Sequence, residues 1–289
     1  MKLAKRLHRG TAVFTLATLT LLPLKTLTTP LALGVATTGV AVTAAAPAQA
    51  ATRQIPASTI AQILNAGLSG SEIRLNSFGS QNGNSWHRPN DSYVSFFGFR
   101  ENFDIEEFSR KIHGRTYAYN VNNIRSQSIR VTPRGDAFEL TVTFQPNSSG
   151  IKGMCRGPKG FRNCVIGKDK AAPDLSWRNP QLTVLLVPQV DNGGLAFHAT
   201  QVTVGGEFDV GGICKLLGQG FCNSVLGHRQ KIREGIERAV LSTFNKQDGK
   251  LDSKTRQAIV RHTRQGLSHL GVGPLRSVTM SGNQVTVTY

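Results

Sequence analysis

The sequence predicts an α+β fold in which long antiparallel β-hairpins pack against two or more amphipathic helices, stapled by two disulfides. Three observations predict it. Residues 124–131, 137–144, 182–190 and 195–208 alternate or run apolar, with Pro133-Arg134-Gly135 and Asp191-Asn192-Gly193-Gly194 as the hairpin turns among them. Between Val225 and Leu270 the apolar residues recur at helical spacing with no strand between the two runs, so the βαβ alternation of a parallel sheet is missing. The four cysteines follow a leader with the marks of export, where an even count reads as disulfides.

Residues 1–50 read as a secretory signal peptide. Lys2, Lys5, Arg6 and Arg9 open it, a Thr/Ala-rich apolar run without an acidic residue follows, and Ala48-Gln49-Ala50 closes it as a small-x-small site. Pro23, Lys25 and Pro30 interrupt the run, leaving no stretch of ~20 uncharged apolar residues to span a bilayer. Cleavage near Ala50 and a secreted product, periplasmic or extracellular, are expected, with an uncleaved anchor as the alternative. Residues 51–289 are then a single α+β domain.

Within it, Ile60, Ile63, Leu64 and Leu68 mark a first helix over 56–68, with Ser58 available as its cap. Residues 76–90, rich in Gly, Asn and Ser, read as a loop, and Tyr93 to Arg100 as an aromatic strand. Asp104-Ile105-Glu106-Glu107 has the form of a capping box ahead of Ile105, Phe108 and Ile112 on one helical face, so a short helix is expected there. Strands follow over 124–131, 137–144, 182–190 and 195–208. Residues 145–180 read as a polar, cysteine-stapled loop excursion from the sheet. Val225, Ile232, Ile236, Val240 and Phe244 define one late helix, and Ile259, Val260, Thr263, Leu267 and Leu270 the next, stopped by Gly271. Residues 275–280 and 284–289 close the chain as a hairpin around Ser281-Gly282-Asn283.

Cys155, Cys164, Cys214 and Cys222 stand at C-x8-C and C-x7-C spacing, unlike the C-x2-C pairs that grip zinc. Three pairings are possible. The local one, Cys155 with Cys164 and Cys214 with Cys222, is favoured, each bridge contributing ~2.5–3 kcal/mol through loop entropy.

The leader holds five of the 34 Lys and Arg residues and none of the 17 acidic ones, so residues 51–289 keep a charge of +12. That charge favours anionic partners: a membrane surface, acidic polysaccharide or nucleic acid. Catalysis is not expected. No G-x-S-x-G occurs, and Gly153-Met154-Cys155-Arg156-Gly157 mimics the elbow without its strand-turn-helix setting. The histidines are scattered and read as surface residues, and the turn around Asp248-Gly249 lacks three of the oxygen ligands of a calcium loop. Neither a cofactor nor a metal is implied.

What remains is a set of apolar hairpin and helix faces beside a cationic rim, a combination suited to an amphiphile with an anionic head. The run Leu182 to Val190, its hairpin partner Leu195 to Val204, two helices and the closing Gly271 to Tyr289 resemble the tubular lipid-binding (TULIP-like) superfamily and the YceB-like envelope lipoproteins near it. The resemblance covers residues 181–289, and no lipid-attachment cysteine follows the leader. It implies a non-enzymatic groove for lipid. The site expected from the helix faces places Lys231, Arg233, Arg256, Arg261 and Arg264 at the head group and Ile232, Ile236, Val240, Ile259 and Leu267 in the groove. The competing expectation is a basic matrix or adhesion protein that binds acidic polysaccharide or DNA through its charge alone.

Overall fold

Phe138, Leu140, Val142 and Phe144 are buried while the residues between them are half-exposed, the period-two signature of a strand with one face in a core. That strand lies near the middle of an antiparallel sheet. The computed structural model describes residues 50–78, 80–82, 85–87, 91–112, 115–156, 174–210, 223, 227, 229–245 and 252–289. The leader, Cys164, Cys214, Cys222 and the Asp248-Gly249 turn lie outside them.

In chain order the strands are β1 (Thr52–Pro56), β2 (Glu72–Leu75), β3 (Ser80–Asn82), β4 (Ser85–His87), β5 (Ser92–Phe96), β6 (Phe99–Phe103), β7 (Phe108–Ile112) and β8 (Arg115–Val121). They continue with β9 (Ile124–Arg134), β10 (Ala137–Phe144), β11 (Asn147–Arg156), β12 (Leu175–Asp191), β13 (Gly194–Val210), β14 (Ser277–Ser281) and β15 (Gln284–Thr288). Three helices accompany them: α1 (Ala57–Gly67), α2 (Arg229–Asn245) and α3 (Asp252–His269).

The large sheet is a curled, antiparallel half-barrel organised around the β12–β13 hairpin. Each of these strands has 17 residues, about 55 Å at ~3.3 Å per residue. The turn between them places Asn192 and Gly193 at φ 47° and 71°, as a two-residue primed turn requires. The free side of β12 is shared. Its second half pairs with β10, which leads on through β9, β2, β5 and β6; its first residues pair with β11, which leads on to β8 and β7. Pro188 is tolerated within β12 because the β10 ladder stops at Leu186, so no partner awaits the missing N–H. At Gly206, φ is 87° and an added Cβ would stand 2.5 Å from the carbonyls of Arg178 and Asn179. Glycine alone fits that bulge.

The helices pack against the large sheet. α1 packs on β9, and α2 and α3 pack on β13. Ile232, Ile236 and Val240 of α2 and Leu267 of α3 join the sheet residues in one buried cluster. A separate three-stranded sheet pairs β1 with β15 and β15 with β14, bringing the start of the domain against the end of the chain.

Several expectations are corrected. The segment with the capping box is not a helix: residues 108–112 form β7, paired with β8 from Phe108 opposite Tyr119. The ring of Phe108 instead packs on α2, where Gly235 leaves room; a Cβ at 235 would lie 2.1 Å from it. The excursion over 145–180 is partly sheet, since β11 and the first residues of β12 fall within it. Ser58 does not cap α1, whose N-cap is Pro56 with no side-chain hydrogen bond. The loop over 76–90 contains the β3–β4 hairpin, and the aromatic strand is itself the hairpin β5–β6. The expected disulfides are not found: Cys155 lies on β11, its possible partners are outside the described residues, and no bridge occurs among the described ones. No helix among the described residues is long and apolar enough to cross a membrane.

Candidate functional site

An edge strand exposes a main-chain N–H and C=O at every second residue, and buried groups of this kind must find partners. β13 is such an edge, and side chains of the two long helices complete it. Arg233 donates to Gly206 O at 2.6 Å, and Glu237 Oε1 accepts Val204 N–H at 2.9 Å. The Asn245 amide bonds Ala199 twice, accepting its N–H at 3.1 Å and donating to its C=O at 2.6 Å. Thr263 Oγ1, from α3, accepts Leu195 N–H at 3.2 Å and lies 2.9 Å from Leu195 O. α1 repeats the arrangement on β9, where Asn65 accepts Val131 N–H at 2.7 Å and donates to Val131 O at 2.8 Å.

At the far end of this layer the interior is tightly packed. Trp177 stacks on Phe208 at 5.1 Å, stands 5.9 Å from Phe144 and donates to Gly205 O at 2.8 Å. At the end nearer the β12–β13 turn the packing is incomplete. A partly open cavity of ≈ 170 Å³ lies between the sheet and all three helices. Leu64 and Leu68 of α1, Leu140 and Leu186 of the sheet, Phe244 of α2 and Ile259 of α3 supply apolar wall. Glu101, 4% exposed, is the acidic group in that wall, and Arg256 the basic one. Arg256 is 37% exposed and forms a 2.7 Å ion pair with Asp191, so its charge is largely balanced.

Phe97 also lines the cavity, with φ 52° in the turn between β5 and β6. That conformation is unfavourable for an aromatic residue. Its ring lies 5.3 Å from that of His262, whose Nε2 is 2.8 Å from Ile63 O. His262 is therefore not the surface histidine expected; it ties α1, α3 and the β5–β6 turn together beside the cavity.

Of the residues expected at the site, Ile259 and Arg256 reach the cavity wall. Ile232, Ile236, Val240 and Leu267 lie in the packed core. Arg233 is engaged with Gly206 O and lies 5.5 Å from the Phe208 ring. Lys231, Arg261 and Arg264 are exposed on the outer helix faces. Sequence reasoning missed the wall residues from α1, β5 and β10, because a strictly local pattern marks them only as apolar. No metal-binding cluster of His, Cys, Asp and Glu occurs among the described residues. No protein-family model matches the chain, and no curated protein matches its sequence.

Proposed function

We propose that this is a secreted, non-enzymatic binding protein for an amphipathic, lipid-like ligand, with the ligand's apolar end in the cavity between the half-barrel and the helices. The observation that carries the reading is the cavity itself, walled mainly by apolar side chains with a few polar ones, Glu101 and Arg256 among them. Its size sets a limit. At ≈ 170 Å³ it is close to the ~150 Å³ that admits one benzene ring and short of the ~300–1,000 Å³ of a drug-sized pocket. It suits a short chain or the end of a longer one, not a whole diacyl lipid.

The anionic partner belongs to the exterior in this reading. Lys231, Arg261 and Arg264 are exposed, and the chain carries no acidic residue after Asp252. These cations hold the protein at an anionic membrane surface, each contributing ~1 kcal/mol, while the cavity takes the chain. The TULIP-like resemblance is part of the same proposal, as are bridges Cys155–Cys164 and Cys214–Cys222, which mass spectrometry of the non-reduced, digested protein tests.

The principal experiment is titration with the neutral fluorophore N-phenyl-1-naphthylamine, whose single phenyl ring matches the cavity while its naphthyl group stays at the open side, alongside flotation with vesicles containing phosphatidylglycerol. Saturable fluorophore binding that is lost in Leu186→Trp, with flotation that weakens in salt, is the expected result. Flotation abolished by salt with no fluorophore binding would leave only the charge-driven reading, a basic protein that adheres to acidic polymers.

A further inference from the structure

Between Leu195 and Ala199 the side chains that complete the β13 edge pass over one residue. Leu195 is bonded by Thr263 and Ala199 by Asn245, so the N–H and C=O of Phe197, midway between them, face the same way. The register agrees: counted from the Asp191–Gly194 pair at the turn, Phe197 and Pro188 form a pair whose main-chain groups face away from each other. Among the described residues neither group of Phe197 has a hydrogen-bond partner. Among the described residues the last bond from α2 to this part of the edge comes from Asn245 and the bond from α3 comes from Thr263, and Phe197 lies between the two points.

That uncovered edge borders the cavity. Ala196, Phe197 and His198 all line it. Side chains of consecutive strand residues point to opposite faces, so three in a row can share one cavity only if the strand presents its main chain to it. The Phe197 ring is meanwhile held on the interior side, edge-on to Phe138 at 5.7 Å. A donor and an acceptor, fixed side by side, are thus offered to whatever enters.

We infer that the cavity selects amphiphiles whose head is a neutral carboxamide or N-acyl amide, bound to the main-chain N–H and C=O of Phe197 as a short piece of added strand. This inference rests on the cavity reading above and specifies its head-group class. An amide supplies both an acceptor and a donor. A carboxylate supplies acceptors only, would confront the Phe197 carbonyl, and finds no unpaired Lys or Arg in the wall, since Arg256 is paired with Asp191. An alcohol satisfies one of the two groups well. The recognition follows the logic of strand addition at a sheet edge, reduced to one residue because Thr263 and Asn245 occupy the positions on either side.

The test uses the full domain and a matched series of about six carbons, a size set by the benzene-scale volume: hexanamide, hexanoate and hexan-1-ol, each displacing N-phenyl-1-naphthylamine. Hexanamide should bind about tenfold more tightly than hexanoate, the value of one well-made hydrogen bond. Phe197→Pro removes the N–H while sparing the β12 ladder, and should erase that preference; Phe197→Ala, the control for the lost ring, should keep it. Amide hydrogen exchange by NMR gives a readout that needs no variant. Phe197 should exchange at least tenfold faster than Leu195 and Ala199 in the free protein and be slowed by hexanamide. Fluorophore binding with hexanoate equal to or tighter than hexanamide would overturn the head-group inference and leave the cavity reading standing. No binding of the fluorophore or of any member of the series would overturn both.

Discussion

The two ends of the β13–helix layer are built from the same materials and differ in completeness. At the Gly206 end, α2 supplies Arg233 and Glu237 to the strand edge, and Trp177 with Phe144 and Phe208 occupies the space behind it. At the Leu195 end, the main chain of Phe197 has no partner among the described residues and a cavity opens beside it. Both ends have an alternating strand, an amphipathic helix and aromatic residues. The difference lies in where helix side chains meet the strand, and the unfilled volume lies beside a position they pass over.

The comparison is broken most forcefully at the packed end. Trp177→Ala should cost about 3–5 kcal/mol, the range for large aromatic truncations in a filled core, read as a lowered midpoint in urea denaturation. A cost below about 1 kcal/mol would mean that this end is as loosely packed as the other.

A matched pair on the helices sharpens it. Ile236→Ala, at a fully buried position of α2, should cost about 3 kcal/mol, because it creates a void where none existed. Ile259→Ala, at the cavity wall on α3, should cost about 1 kcal/mol, since the removed atoms already border open space. Equal losses would contradict the contrast between the two ends.

Polar positions give smaller differences. Glu237→Ala leaves Val204 N–H without its partner and should cost about 1–2 kcal/mol. Arg256→Gln removes an ion pair that is partly open to water and should cost about 0–1 kcal/mol. Thermal unfolding of the two variants, compared with the parent, decides the order.

The smallest effect at neutral pH lies in neither end. Burial holds the Tyr119 hydroxyl well above the ordinary phenol value of 10.0, with the nearby charges of Tyr117 and Asp174 acting in the same direction. A raised folded-state value means that the neutral phenol contributes stability below about pH 10 and that the contribution is lost as pH rises above it. Denaturation midpoints should therefore fall between pH 9 and 11, and Tyr119→Phe should reduce the fall while changing little at pH 7. Tyr93, raised by burial first and then by its hydrogen bond to Glu72, adds to the same alkaline loss.

Much of the frame was legible in the sequence. The alternation of β10, the Asn192-Gly193 turn, the α2 and α3 periodicities and the closing hairpin all carry their apolar faces in local spacing, which depends only on the geometry of a strand or a helix. The error over residues 104–112 shows the limit of that reading. Ile105, Phe108 and Ile112 fit a helical face behind a capping box, yet pairing with β8 and a seat for Phe108 against Gly235 outweigh local preference. The candidate site was legible only in part. Arg256 and Ile259 could be picked out as members of an amphipathic helix, whereas Glu101, Leu140 and Phe197 show no local mark of belonging together.

The sequence by itself determined which faces are apolar, where the turns fall and that the surface is strongly basic, because these are properties of neighbouring residues and of composition. Tertiary structure alone decided which apolar residues are walled into a core and which border a cavity, and which strand edge each helix completes. Thr263 meets Leu195 across 68 positions and Asn245 meets Ala199 across 46. An unfilled volume is set by the distances between such elements, and no stretch of chain short enough to have a period contains them.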